Sequence, residues 1–144
     1  MIKDHNARNR AARERLDALI ARVGERDVVL DDGWTAAALL AHLAFWDRLA
    51  TARLEKHLRE GEPPIFATDG VTDLTNAAGM WQWKDTPPRV AGTQAREAAA
   101  AIDRLIETLP SDKLEGLKAL GRSFLIDRSA HRKEHLDQIE RGLR

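Results

Sequence analysis

The residues of this chain best suited to chemistry are its histidines. There are five, His5, His42, His57, His131 and His135, and there is no cysteine. His131 and His135 stand four apart in a stretch with a helical pattern, so both imidazoles leave on one side, one turn apart. That spacing suits chelation of a single ion. On a helical wheel with Phe124 as origin, His131 falls at ~340°, His135 at ~20° and Ile139 at ~60°. The pair then borders an apolar stripe of Phe124, Leu125, Leu136 and Ile139 and faces inward. The same spacing also fits two core-edge histidines bonded to backbone or water.

His42 falls in the apolar arc of another helix, between the Ala38–Leu39 turn and Phe45–Trp46. A lone histidine there also suits a satisfied core position. It completes a three-nitrogen site if its helix neighbours the last one. Three protein ligands with a position left open is the arrangement of a catalytic metal site, not a structural one. Neutral imidazoles suit zinc, nickel, iron or copper and do not choose among them. Ligating rings need acceptors for their other nitrogen. Asp127, one turn before His131, is the best placed, followed by Gln138 and Glu134; a salt bridge to Arg128 or Arg132 is the other use for Asp127. Trp46, Trp81 and Trp83 suit a pocket wall, or core or interface anchors. His5, near a terminus, reads as solvated, and His57 as a surface residue.

Other chemistries are missing. No Glu-x-x-His or His-Glu-x-x-His occurs, which disfavours a carboxylate di-iron bundle and a zincin. There is no Gly-rich phosphate loop, and nothing marks Ser123 or Ser129 as an activated nucleophile. Without cysteine there is no disulfide, thiolate metal site or Cys nucleophile, so any thiol chemistry uses an external thiol.

The elements that must position the histidines follow from periodicity. Ala12, Leu16, Leu19, Ile20 and Val23 predict a first helix over Asn6–Val23, stopped by Gly24. Thr35 caps a second that runs to Glu60 and ends at Gly61, Pro63 and Pro64, with Leu39, Leu43, Trp46, Ala50 and Leu54 on one stripe. Residues 61–73 read as a loop, and 74–83 as a short helix. Pro88 suits the first turn of a third long helix reaching Leu109, with Ala91, Ala95, Ala98, Ile102, Leu105 and Ile106 inside. Residues 111–121 fit either a short turn or a helix, and the last helix spans 122–142. Four long amphipathic helices without a strand predict an all-α fold. It is a four-helix bundle with a long crossover that carries a short extra helix, in a single domain over residues 1–144.

Charge narrows the function classes. Lys plus Arg and Asp plus Glu number 23 each, a net charge of zero, and the signs alternate along each helix. A nucleic-acid binder usually carries a segregated basic face, so that class is disfavoured. A 43% hydrophobic content supports a packed core. No apolar run approaches the ~20 residues of a membrane span, and the first residues lack a signal peptide's apolar core. The expectation is a cytoplasmic protein without a membrane or nucleic-acid partner.

Three segments carry a family resemblance. Gly33-Trp34-Thr35 with residues 39–47, LLAHLAFWD, resembles the second-helix signature of the DinB/YfiT-like superfamily, the damage-inducible bundle proteins. Residues 76–81, NAAGMW, resemble the segment these proteins carry before the third helix, and residues 131–139, HRKEHLDQI, their C-terminal metal motif. The resemblance implies a DinB-like four-helix bundle with a divalent metal held by His42, His131 and His135. Relatives include mycothiol-dependent maleylpyruvate isomerases, bacillithiol S-transferases and metal-dependent hydrolases, and several members are homodimers. The isomerase branch carries a carboxylate at the position of His131 and an extra C-terminal domain. The reading that follows is a metal-dependent thiol transferase or hydrolase acting on a small molecule. It would use zinc, nickel or iron, with a low-molecular-weight thiol as second cofactor and a homodimer as assembly. Arg48, Arg53, Arg128 or Arg132 could bind a carboxylate of thiol or substrate. The alternative is a non-catalytic small-molecule-binding or stress module with a structural or vestigial metal site.

Overall fold

A computed structural model describes residues 4–144. Among these residues are six α-helices: α1 (Asp4–Val23), α2 (Ala36–Glu60), α3 (Asp69–Trp83), α4 (Pro88–Glu107), α5 (Ser111–Ala119) and α6 (Ser129–Gly142). One 3-10 turn, Ser123–Leu125, precedes α6. Among the described residues there is no strand, only an isolated antiparallel bridge between Val29 and Thr35. No helix among them is long and apolar enough to cross a membrane.

The helix ends follow local chemistry. Thr35 Oγ1 accepts from the Ala38 N–H at 3.0 Å and starts α2. Gly61, at φ 74°, turns the chain out of it in the left-handed region, its N–H donating to the His57 carbonyl at 2.8 Å. α3 begins five residues before the sequence pattern suggests, because Thr68 Oγ1 accepts from the Val71 N–H and caps an extra turn. Residues 111–119 settle as helix. The last helix begins seven residues later than periodicity predicts. Asp127 Oδ1 accepts from both the backbone N–H and the hydroxyl of Ser129, a local turn that competes with the helix and separates the Phe124 segment from α6. Phe124 therefore does not share a helical face with His131, and it is exposed rather than inward.

α1, α2, α4 and α6 form the bundle, and inter-helix pairs give its directions. Arg10 meets Glu107 and Arg96 meets Asp17, so α1 and α4 run antiparallel. Arg8 meets Asp127 and Arg15 meets Asp137 and Glu140, so α1 and α6 run parallel. Asp47 meets Arg128 while His42 lies beside His135, so α2 and α6 run antiparallel. It follows that α2 and α4 point the same way. Two parallel neighbours cannot be joined by a hairpin, which is why the chain spends residues 61–87 on a crossover. Within it α3 packs on α2. Alanines on α2 (Ala37, Ala38, Ala41, Ala44) and α4 (Ala91, Ala95, Ala98, Ala99) are buried in the same core cluster, so α2 and α4 can approach closely. Gly92 lets α4 approach α1 closely as well, where a Cβ would meet Ile20 at 2.8 Å.

The core falls into two apolar clusters. One is built on Leu16, Leu19, Val23, Leu39, Leu43, Leu136 and Ile139, the other on Leu54, Ile102, Ile106, Leu117, Leu125 and Ile126. Between them on α2 and α4 lie two buried carboxylates, Asp47 and Asp103. Arg132, 1% exposed, makes a bidentate pair with Asp103 at 2.8 and 3.0 Å and reaches Asp47 at 3.4 Å. Arg128 Nε donates to Asp47 at 3.0 Å, and its backbone N–H donates to Asn9. Burial works against the Arg132 charge, but its bonds and ion pairs with Asp103 and Asp47 raise its pKa above the ordinary value. This charged layer ties α1, α2, α4 and α6 together directly beside the histidines. His5 also departs from expectation: it is buried, not solvated.

Candidate metal centre

α2 contributes His42, and α6 contributes His131 and His135. Because α2 and α6 are neighbours, the three rings converge. Their centroids lie 5.5 Å (His42–His131), 4.8 Å (His42–His135) and 4.8 Å (His131–His135) apart. One nitrogen from each lies within 4.8 Å of the others. A tetrahedral ion with bonds near ~2.05 Å wants its donors about 3.3 Å apart, so small rotamer shifts would close the set.

Aromatic rings wall His42 in. Trp34 and Trp83 meet it edge-on at 5.7 and 5.1 Å, and Trp46 lies at 6.3 Å. Trp34 is held by the short bridge after α1, where its carbonyl accepts from Leu30 N–H at 2.7 Å. Trp83 rests against Gly79, where a Cβ would stand 2.3 Å from the indole ring. His42 Nδ1 is buried with no hydrogen-bond partner.

Burial keeps His42 and His131 neutral. Burial, then the neighbouring His135, pushes His42 down to about 4. Burial, His135 and Arg128 push His131 down to about 3. Both therefore present lone pairs at neutral pH, the state a metal requires. His135 Nδ1 lies 2.8 Å from Gln138 Oε1. An amide oxygen only accepts, so Nδ1 carries the proton and Nε2 is left as the free donor. Closely grouped imidazole nitrogens, one of them buried without a partner, fit a divalent ion of the borderline class.

The triad opens onto a cavity of about 620 Å³. Trp46 forms part of its wall, and its indole N–H donates to Asn76 Oδ1 at 2.8 Å, so α3 roofs the cavity. Trp81 is not part of it. That ring is 71% exposed and stacks with Lys84. The buried indole at the histidines is Trp83. Asp127 lines the cavity but, among the described residues, makes no hydrogen bond to His42, His131 or His135; its oxygens are taken by Arg8 and Ser129. The Asp127 carboxyl thus serves the turn before α6, and Gln138 is the residue that orients a ring. Arg53, Arg122 and Arg128 line the cavity, Arg48 faces a different one, and Arg132 is buried in the charged layer. His57 bonds to the Glu62 carbonyl, away from the triad.

Residues 9–117 match the sequence profile of the mycothiol maleylpyruvate isomerase N-terminal domain. The chain belongs to this family. The match agrees with the DinB-like bundle seen here. It runs from within α1 into α5, takes in His42, and ends before His131 and His135, which the match does not cover. No match was found among curated proteins and none among solved structures.

Proposed function

We propose that the chain binds one divalent metal ion through His42, His131 and His135 and catalyses a thiol transfer or hydrolysis on a small molecule. The observation that carries this is the convergence of three imidazoles at the wall of a 620 Å³ cavity, with His42 and His131 held neutral by burial. When bound, a divalent ion there would keep an open position and lower the pKa of a water or thiol placed at it, supplying a nucleophile near neutral pH. The residues provide the rest. Gln138 fixes the His135 tautomer, Trp34 and Trp83 shield His42 from water, and Trp46 offers an apolar face to whatever enters. The thiol has to come from outside, because the chain has none.

The test is turnover by zinc- or nickel-loaded protein, offered a panel of low-molecular-weight thiols with an epoxide or a chloronitroarene, and activated esters for hydrolysis. Turnover that disappears on metal removal and in His135→Ala supports the reading. Rates no higher than the metal-free control with every pair would favour a binding module instead.

A further inference from the structure

The cavity has a second end. Phe66, on the crossover just after Pro63 and Pro64, meets Phe124 at 5.1 Å and carries two guanidinium groups over its ring, Arg53 at 4.6 Å and Arg122 at 4.3 Å. All four side chains line the cavity. Among the described residues neither arginine has a carboxylate partner, although ion pairs are plentiful elsewhere on the surface. Stacking uses the flat face of a guanidinium and leaves its edge N–H donors free. Arg128 adds a third positive group nearby, and only that one is offset, by Asp47. Of the carboxylates on the cavity wall, Asp127 is occupied by Arg8 and Ser129, and Glu134 sits beside His135 at the other end.

We propose that Arg53 and Arg122, held over Phe66, form an anion subsite that binds a carboxylate or phosphate group at the end of the ligand remote from the histidines. Two half-buried cations without carboxylate partners converge on one ring, and bidentate N–H donors match the geometry of both oxyanions. The lowered pKa of Arg53, caused by burial and by Arg128, agrees with an uncompensated positive charge. His42 and Arg53 are eleven residues apart on α2, about 16 Å along its axis, and arginine side chains lean back toward the N-terminus. A ligand touching both ends is therefore extended, roughly 10 Å long. This deepens the proposed function, on which it rests only for what binds at the histidine end.

The experiment uses metal-free protein, so that it does not depend on that reading. Glutarate and inorganic phosphate are titrated separately while backbone amide NMR shifts are followed. The expected result is saturable binding of at least one anion, weakened at least tenfold in R53Q/R122Q and unchanged in R48Q, which alters a different cavity. If the double variant melts at lower temperature, R53Q and R122Q singly carry the test, each losing at least threefold. Equal binding by wild type and the folded arginine variants, or no saturable binding of either anion, overturns the subsite whether or not the histidines hold a metal.

Discussion

Gln138 Oε1 accepts the His135 Nδ1 proton at 2.8 Å, three residues on along the same helix. The bond selects the tautomer that leaves Nε2 for a metal. Gln138→Leu removes the acceptor and frees the ring to rotate. Loss of such a partner typically costs 10–100-fold in metal affinity. Competition against a chromophoric chelator should show a drop in that range, with unchanged helical circular dichroism.

The lowered pKa values make stability pH-dependent in a definite direction. His42 and His131 titrate at about 4 and about 3 in the folded chain, against 6.5 as the ordinary value. As pH falls below 6.5 the unfolded chain takes up protons that the folded chain refuses, so metal-free protein loses stability through that window. Bound metal holds the rings deprotonated and should deepen the loss as acid displaces it. Unfolding free energies from urea titrations should fall between about pH 7.5 and about pH 4.5 by more in wild type than in His42→Gln/His131→Gln, the difference being on the order of 2 kcal/mol or more.

Arg132 and Asp103 form a bidentate pair at 0–1% exposure in the middle of the bundle. Removing one partner strands a buried charge, so Asp103→Leu should cost about 3–5 kcal/mol in chemical denaturation. Replacing both, as Asp103→Leu with Arg132→Met, should cost less than Asp103→Leu alone, because no buried charge of the pair is then unmatched.

Gly79 faces Trp83, which in turn faces His42. Gly79→Ala places a methyl 2.3 Å from the indole, which has to shift. A loss of about 1–3 kcal/mol is expected, with a change in tryptophan emission and weakened metal binding as the His42 wall opens. Gly70→Ala, on the same helix with its nearest neighbour 4.0 Å away, should do neither.

Much of this was legible in the sequence. Thr35, Gly61 and Pro88 mark helix ends by local chemistry, and four apolar stripes with one long connection imply the bundle. The inward histidines stand out because polar residues on apolar arcs are few. The charged layer was hidden by composition: in a chain this rich in Arg, Asp and Glu, any one charge looks like part of a solvated face. A signal was there. Asp47 stands four after Leu43 and three before Ala50, and Asp103 four after Ala99 and three before Ile106, all core positions. The late start of α6 was obscured because Phe124, Leu125 and Ile126 extend its apolar pattern, while the Asp127–Ser129 turn that breaks it depends on side-chain bonds. Phe66 had no periodicity to reveal it, since a lone aromatic in a proline-rich connection acquires its role only from the partners the fold brings.

The central claim is that His42, His131 and His135 together hold one divalent ion. Equilibrium dialysis of metal-free protein against zinc and nickel, with elemental analysis of the retained ion, tests it directly. The account predicts one equivalent per chain for wild type, with affinity at least tenfold lower in His131→Ala and in His42→Ala. Failure of wild type to retain a stoichiometric ion, or equal retention by these folded variants, would contradict it.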